Sequence, residues 1–167
     1  AGLPRPVPIT PLRGTLAAVV GTLVREPIYG ADGHTYVLPR GDTTVIGATS
    51  ERVGFDAQPG PDDVALLRAA GACLVPALAH TPLAQSWTGL RPMTPDRSPI
   101  IGRDPDQPGL LYACGHSRNG FLHAALTAEA VVDLLEQRER PDLAPFGIAR
   151  FTAEHRPEPA HTAVPTE

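Results

Sequence analysis

Apolar positions along the chain fall in short runs cut by turn residues, which is the pattern of short strands. A breaker-poor run from Thr15 to Val24 predicts the first strand. Ala31-Asp32-Gly33-His34 reads as an Asp-Gly hairpin turn leading into a strand over His34 to Pro39. Gly41-Asp42 marks a second tight turn before a strand over Thr43 to Ala48. Strand, two-residue turn, strand predicts antiparallel pairing. A helix over about 62–75 follows: Asp62 and Asp63 place negative charge at its start, Val64, Leu67 and Leu74 recur on one face, and Pro76 stops it. Gln85 to Leu90 is a further strand, and Ile100-Ile101 and Leu110 to Cys114 are two short apolar pieces around a turn. Gly115-His116-Ser117-Arg118-Asn119-Gly120 then opens a long apolar helix, Phe121 to about Gln137. Glu129, Asp133, Glu136 and Gln137 leave it only a narrow polar stripe, so most of its circumference is expected to be buried. Beyond Pro141 the periodicity is lost, and RPEPAHTAVPTE reads as a frayed tail.

Composition narrows this picture. The 167 residues are 42% apolar and 19% charged, a globular balance, and a chain of this size hides about 70% of its unfolded surface. Twenty prolines and 16 glycines exclude a coiled coil or helical bundle. The net charge is −4, and all 14 basic residues are arginine. That balance argues against a nucleic-acid partner. No apolar run reaches the roughly 18 residues of a membrane helix, and no signal peptide is visible, so a cytoplasmic chain is expected. Cys73 and Cys114 lie far apart and are expected to be reduced, buried thiols. The chain begins at Ala1 without a Met, which suggests a fragment.

Three features could carry chemistry. The GHSRNG turn lets backbone approach a ligand closely, and the N–H groups of the following helix favour an anion or a charge-accepting ring. A glycine-rich turn with no ligand explains it equally well. Arg91, held extended by Pro92 at the end of an apolar strand with Trp87, needs a partner. Its planar fork suits a substrate carboxylate, or a structural pair with Asp96 or Asp104. Arg118 raises the same question. Tyr36 shares a strand face with His34 and Leu38, where its phenol could donate to a substrate oxygen or simply belong to the core. Arg40-Gly41-Asp42 is explained by its hairpin. The six histidines have no metal-ligand spacing, and no metal site is expected. GxSxG, P-loop and GxGxxG motifs are absent, which excludes a free-standing dinucleotide domain.

Taken in order, Arg13-Gly14-Thr15, Tyr36-Val37-Leu38-Pro39-Arg40-Gly41-Asp42, Ile46-Gly47-Ala48-Thr49-Ser50-Glu51, Trp87-Thr88-Gly89-Leu90-Arg91-Pro92-Met93-Thr94-Pro95-Asp96, Pro99-Ile100-Ile101-Gly102 and Gly115-His116-Ser117-Arg118-Asn119-Gly120 resemble the C-terminal half of the D-amino-acid-oxidase-like flavoproteins. The branch most resembled is the glycine oxidases of thiamine biosynthesis, and the match runs from about Thr10 to Phe151. The resemblance implies FAD-dependent oxidation of a small amino acid, glycine foremost, to its imine, with O2 reduced to hydrogen peroxide. It implies that Tyr36, Arg91 and Arg118 bind substrate, Arg118 lying near the flavin as well. It further implies that Ile101, Gly102, Gly115, His116, Ser117, Arg118, Asn119, Gly120 and Phe121 contact the cofactor, with no catalytic side chain needed for hydride transfer.

The expected fold is α+β. Residues 1–13 form an extended connector, 14–98 an antiparallel substrate-binding domain with a covering helix, 99–140 the flavin-contacting segment and C-terminal helix, and 141–167 a tail. The family's N-terminal half, which supplies the strand–GxGxxG–helix for the ADP portion of FAD, is the expected partner. Alone, the 167 residues are expected to bind FAD weakly or not at all and to expose apolar surface on the last helix. A homo-oligomer is implied by the resemblance only. Two alternatives remain at this point: a non-catalytic binding or scaffold module of the same fold, and a relative of sarcosine oxidases or cyanide-forming glycine dehydrogenases.

Overall fold

The computed structural model describes residue 3 and residues 5–151, so the expected frayed tail at 156–167 lies outside the described residues. The chain divides into two compact units, Pro11–Arg91 and Ala1–Thr10 with Pro92–Glu167.

The first unit is built on an antiparallel sheet. Its strands are β1 (Thr10–Val20), β2 (Ile28–Tyr29), β3 (Tyr36–Arg40), β4 (Thr43–Gly47) and, after the helix α1 (Asp63–Leu74), β5 (Leu83–Met93). The spatial order is β2-β3-β4-β1-β5. Register places Ala17 opposite Ile46 and Ile46 opposite Val37. These three, with Val19, Val24, Leu67 and Leu78, make the core under α1. The alternation of strand side chains sends Arg13, Thr15, Ala17 and Val19 to that face and Gly14, Leu16, Ala18 and Val20 to the other.

Two strands differ from expectation for local reasons. β1 begins earlier than Thr15, taking in Thr10–Arg13 from the stretch expected as a connector. It ends at Val20 because Gly21 turns the chain at φ +88. β3 starts at Tyr36 because the Asp32 carboxylate accepts from the N–H groups of His34 (2.8 Å) and Thr35 (2.9 Å), holding both in the turn. At the start of α1, Asp62 makes no side-chain cap. Asp63 is the buried partner instead, accepting from Gly60 N–H at 2.9 Å and from the Thr15 hydroxyl. α1 ends one residue before the extended Val75, as Pro76 requires. Arg13, 4% exposed, is compensated by Glu51 (3.0 Å), Asp56 (3.1 Å) and the Gln58 carbonyl (2.6 Å).

In the second unit β6 (Ile100–Arg103) pairs antiparallel with β7 (Leu111–Cys114), followed by α2 (Ala124–Leu135) and short 3-10 turns at Pro141–Phe146 and Ile148–Phe151. Ile100, Tyr112 and Ile148 form its core with Val7 and Ile9 from the N-terminal segment. Asp104 is fully satisfied by Arg5 (2.9 Å), the Tyr112 hydroxyl (2.8 Å) and the N–H groups of Asp106 and Gln107. The last helix departs from expectation. It starts at Ala124, residues 120–123 forming a turn, and only Ala130 on it is buried. Its inner face is Thr127, Ala130, Val131 and Leu134, whereas Leu126, Val132 and Leu135 point outward, 60%, 49% and 62% exposed. Within this chain too little surrounds the helix to cover its apolar circumference. The cysteines are both free, but Cys73 is exposed on α1 and only Cys114 is half-buried, which corrects the expectation of two buried thiols. Among the described residues no helix is long and apolar enough to cross a membrane, and no group of three His, Cys, Asp or Glu could hold a metal.

Candidate functional site

The sheet face turned away from α1 carries two of the expected substrate-binding residues. Tyr36 is opposite Gly47, which is opposite Leu16, so these three share one row across β3, β4 and β1. Arg91 near the end of β5 reaches the same face, because its guanidinium lies over Gly14, two residues before Leu16. Its Nη1 donates to the Thr49 carbonyl at 3.2 Å and to Ser50 Oγ at 3.4 Å. The structural pairs considered for it do not form. Asp96 bonds Arg150 at 2.7 Å, and Asp104 bonds Arg5. Among the described residues no carboxylate pairs with Arg91.

Tyr36 is half-buried and its hydroxyl has no hydrogen-bond partner among the described residues. Desolvation pushes its pKa above the usual 10.0, the Arg91 guanidinium opposes that rise, and Tyr29 adds to it. The phenol is therefore a proton donor at neutral pH. Beside it Tyr29 sits directly cross-strand, with ring centroids 6.1 Å apart. Trp87, two alternations before Arg91 on β5, has the Arg40 guanidinium 5.5 Å from its ring. This face thus presents the Arg91 and Arg40 guanidiniums, neither paired with a carboxylate among the described residues, the Tyr36 phenol and the aromatic rings of Tyr29 and Trp87. That combination has the charge and hydrogen-bond donors that can pair with a small carboxylate.

The second unit holds the residues expected at the cofactor. Gly115 is buried at φ +77, and a Cβ there would strike Thr94 Cγ2 at 2.6 Å. Ser117 also has positive φ (52) within the turn Ser117–Asn119. Arg118 and Asn119 are exposed, Gly120 is half-buried and Phe121 is 98% exposed. Arg118 makes no ion pair or hydrogen bond with another described residue. His116 bonds the Thr127 hydroxyl through Nε2 at 2.9 Å, and burial followed by the nearby His123 keeps its pKa below the usual 6.5. It is a neutral ring at physiological pH. Ile101 is buried in β6, and Gly102 follows it. Ile101 and His116 share a cavity of about 290 Å³ with Leu126, Thr127, Ala130 and Phe146. α2 begins without a side-chain cap, although the N–H groups of His123 and Ala124 already donate to the Asn119 and Phe121 carbonyls.

Sequence reasoning assigned no role to Thr49, Ser50 or Tyr29. Thr49 acts through its carbonyl, which any residue carries, so no side-chain signal marks it. Tyr29 lies on a two-residue strand too short to show alternation.

The chain is similar to known proteins over most of its length. The chain is 36% identical over 165 residues to the bifunctional protein ThiO/ThiG of Trichormus variabilis, covering 94% of this chain and 25% of that protein. It is 38% identical over 130 residues to the glycine oxidase of Geobacillus kaustophilus, covering 77% of this chain and 34% of the relative. The crystal structure of glycine oxidase from Geobacillus kaustophilus matches with a TM-score of 0.80 and 34% identity, over 87% of this chain and 40% of that one. The chain therefore spans between a quarter and two fifths of these relatives. The family model for DAO, FAD dependent oxidoreductase, matches residues 1–134, and the chain belongs to that family of FAD-dependent oxidoreductases.

Proposed function

We propose that this chain supplies the substrate-gripping sheet and the flavin-facing loop of an oxidase of small amino acids, glycine foremost. The observation that carries the reading is Arg91: seated on Thr49 and Ser50, beside the free phenol of Tyr36, and without a carboxylate of its own. Arg91 takes the substrate carboxylate by charge and Tyr36 donates to one of its oxygens. Two anchored oxygens fix the rotation of the Cα–H bond, which is how positioning lowers a barrier.

The second unit fits the ring portion of the cofactor that the family uses. Gly115 packs against Thr94 with no room for a Cβ, Arg118 and Asn119 of the turn are exposed, and the positive end of α2, which has no side-chain cap, favours negative charge on a ring placed there. Residues of Ile101–Gly102 and Gly115–Phe121, Arg118 among them, would hold that edge. When bound, FAD supplies the two-electron acceptor. In net terms the amino acid loses two electrons and two protons to become the imine, and O2 gains both to become hydrogen peroxide. No side-chain base is needed when the amine arrives neutral. The sequence has no GxGxxG, so the pyrophosphate is held by residues outside it, and the chain alone is inactive.

The test joins this chain to the strand–GxGxxG–helix portion of the Geobacillus kaustophilus enzyme. The expected result is a yellow protein that releases peroxide with glycine, while the 167 residues alone do neither. Arg91→Ala in the joined protein is expected to raise KM for glycine by at least tenfold, roughly the worth of a charge-assisted bond. A joined protein that holds flavin but releases no peroxide would make the chain a binding module, and an unchanged KM would remove Arg91 from the site.

A further inference from the structure

The face carrying Tyr36 and Arg91 also contains two strand-interior glycines, Gly14 in β1 and Gly47 in β4. Glycine weakens a strand, so its presence there asks for a reason. Positive φ is not the reason. Gly21, Gly33 and Gly41 have positive φ and open space around them, whereas Gly14 and Gly47 have neither. A Cβ at Gly14 would instead fall within 3.0 Å of Cζ, Nη1 and Nη2 of Arg91. A Cβ at Gly47 would fall within 3.0 Å of Cζ, Oη and Cε2 of Tyr36. Each glycine lies under the polar end of one side chain, and both face the same way as Leu16.

We infer that Gly14 and Gly47 are positioning residues for a small carboxylate substrate: together they form a flat floor on which the Arg91 guanidinium and the Tyr36 phenol lie at the height and spacing that let both reach one carboxylate. The inference rests on the reading of Arg91 and Tyr36 as the carboxylate clamp.

The cost of filling the floor falls on the clamp and not on the fold. The groups that would be struck are the far ends of side chains. Arg91 is held there only by bonds of 3.2 and 3.4 Å to Thr49 and Ser50. A methyl group at position 14 or 47 therefore lifts the guanidinium or the phenol and leaves β1 and β4 paired. A misplacement of about 1 Å at a positioning group costs on the order of 100-fold in rate.

Acetate, a carboxylate with no amine to oxidise, is the probe, titrated into the protein while the Arg91 side-chain N–H resonances and Trp87 fluorescence are followed. Gly14→Ala and Gly47→Ala are each expected to raise the acetate Kd about tenfold or more. Gly14→Ala should also shift the Arg91 resonances before acetate is added. Gly89→Ala, on β5 where a Cβ meets nothing within 4 Å, should leave Kd and thermal midpoint unchanged. The decisive comparison is Gly47→Ala in a Tyr36→Ala background. Arg91 still binds acetate there, and with no phenol to lift the alanine should add less than about a twofold loss. An equal loss with and without Tyr36 would mean a general distortion of the sheet and overturn the inference, as would unchanged Kd in both glycine variants. If Arg91→Ala leaves acetate binding untouched, the clamp itself is wrong and the floor falls with it. If Arg91→Ala weakens binding and the glycine variants do not, only the floor is wrong.

Discussion

At Arg91 the geometry of the charge matters as much as its presence. A guanidinium spans two carboxylate oxygens, whereas an ammonium offers a point charge. Arg91→Lys is therefore expected to keep the charge yet raise KM for glycine roughly tenfold in the joined enzyme, with kcat less affected, as steady-state kinetics would show. That Arg91 needs a partner was legible from Pro92 and Trp87 beside it. Which partner was not, because Asp96 and Asp104 are near in sequence and their engagement with Arg150 and Arg5 depends on tertiary packing. Asp104 carries a second expectation at the same scale. Burial alone would raise its pKa, but bonds from Tyr112, the Asp106 and Gln107 N–H groups and Arg5 outweigh it and hold it below the usual 3.8. A carboxylate with a depressed folded pKa stabilises the fold above its unfolded pKa, and that stabilisation is lost as pH falls through the folded value. Thermal midpoints measured from about pH 7 down to pH 3 should drop most steeply below about pH 4. Asp104→Asn should lower the midpoint at neutral pH and flatten part of that acid limb. A midpoint that rises on acidification would contradict the assignment.

Among the elements, those punctuated by turn chemistry were the most legible. Gly33 and Gly41 end up at positive φ in the hairpins expected of them, and α1 ends where Pro76 demands. Strand β2 was missed because two residues cannot show a period. The strand-interior glycines sat inside recognised segments, yet a sequence does not reveal what lies over a glycine. Helix α1 offers a test of packing against propensity. Gly71 is buried against Ile46 Cγ2, 2.9 Å from where a Cβ would stand, and against Leu78 Cδ1 at 3.0 Å. Alanine gains about 1 kcal/mol of helix propensity, while forcing a methyl into a close-packed core costs about 1–3 kcal/mol. Ile46 is fully buried in the central strand β4 and cannot retreat. Gly71→Ala is thus expected to destabilise by about 1 kcal/mol in urea denaturation, although glycine-to-alanine in an exposed helix would stabilise.

For the molecule as a whole, the last helix dominates the solution behaviour. Phe121 (98% exposed), Leu122 (78%), Leu126 (60%) and Leu135 (62%) stand on the surface close together in sequence. Its apolar character was plain in the sequence. Its exposure was expected there for the chain alone, while the expectation that most of its circumference is buried did not hold. Apolar patches of this kind drive association. Sedimentation of the 167 residues is expected to show concentration-dependent association that persists at high salt, because apolar contacts are not screened. Leu126→Glu with Leu135→Glu should shift the protein towards monomer. Salt-sensitive association, or none, would contradict this.

Thr10 and Met93 flank the entry to and exit from the Pro11–Arg91 unit, and the Thr10 hydroxyl donates to the Met93 carbonyl at 3.4 Å. The Pro11–Arg91 sheet is therefore a contiguous stretch inserted into the other unit through two neighbouring points of the chain. Such an insertion can be exchanged without rebuilding its host. Under the function proposed above, carboxylate recognition by Tyr36 and Arg91 would be carried by one contiguous stretch of gene, and a new substrate could be acquired by replacing it.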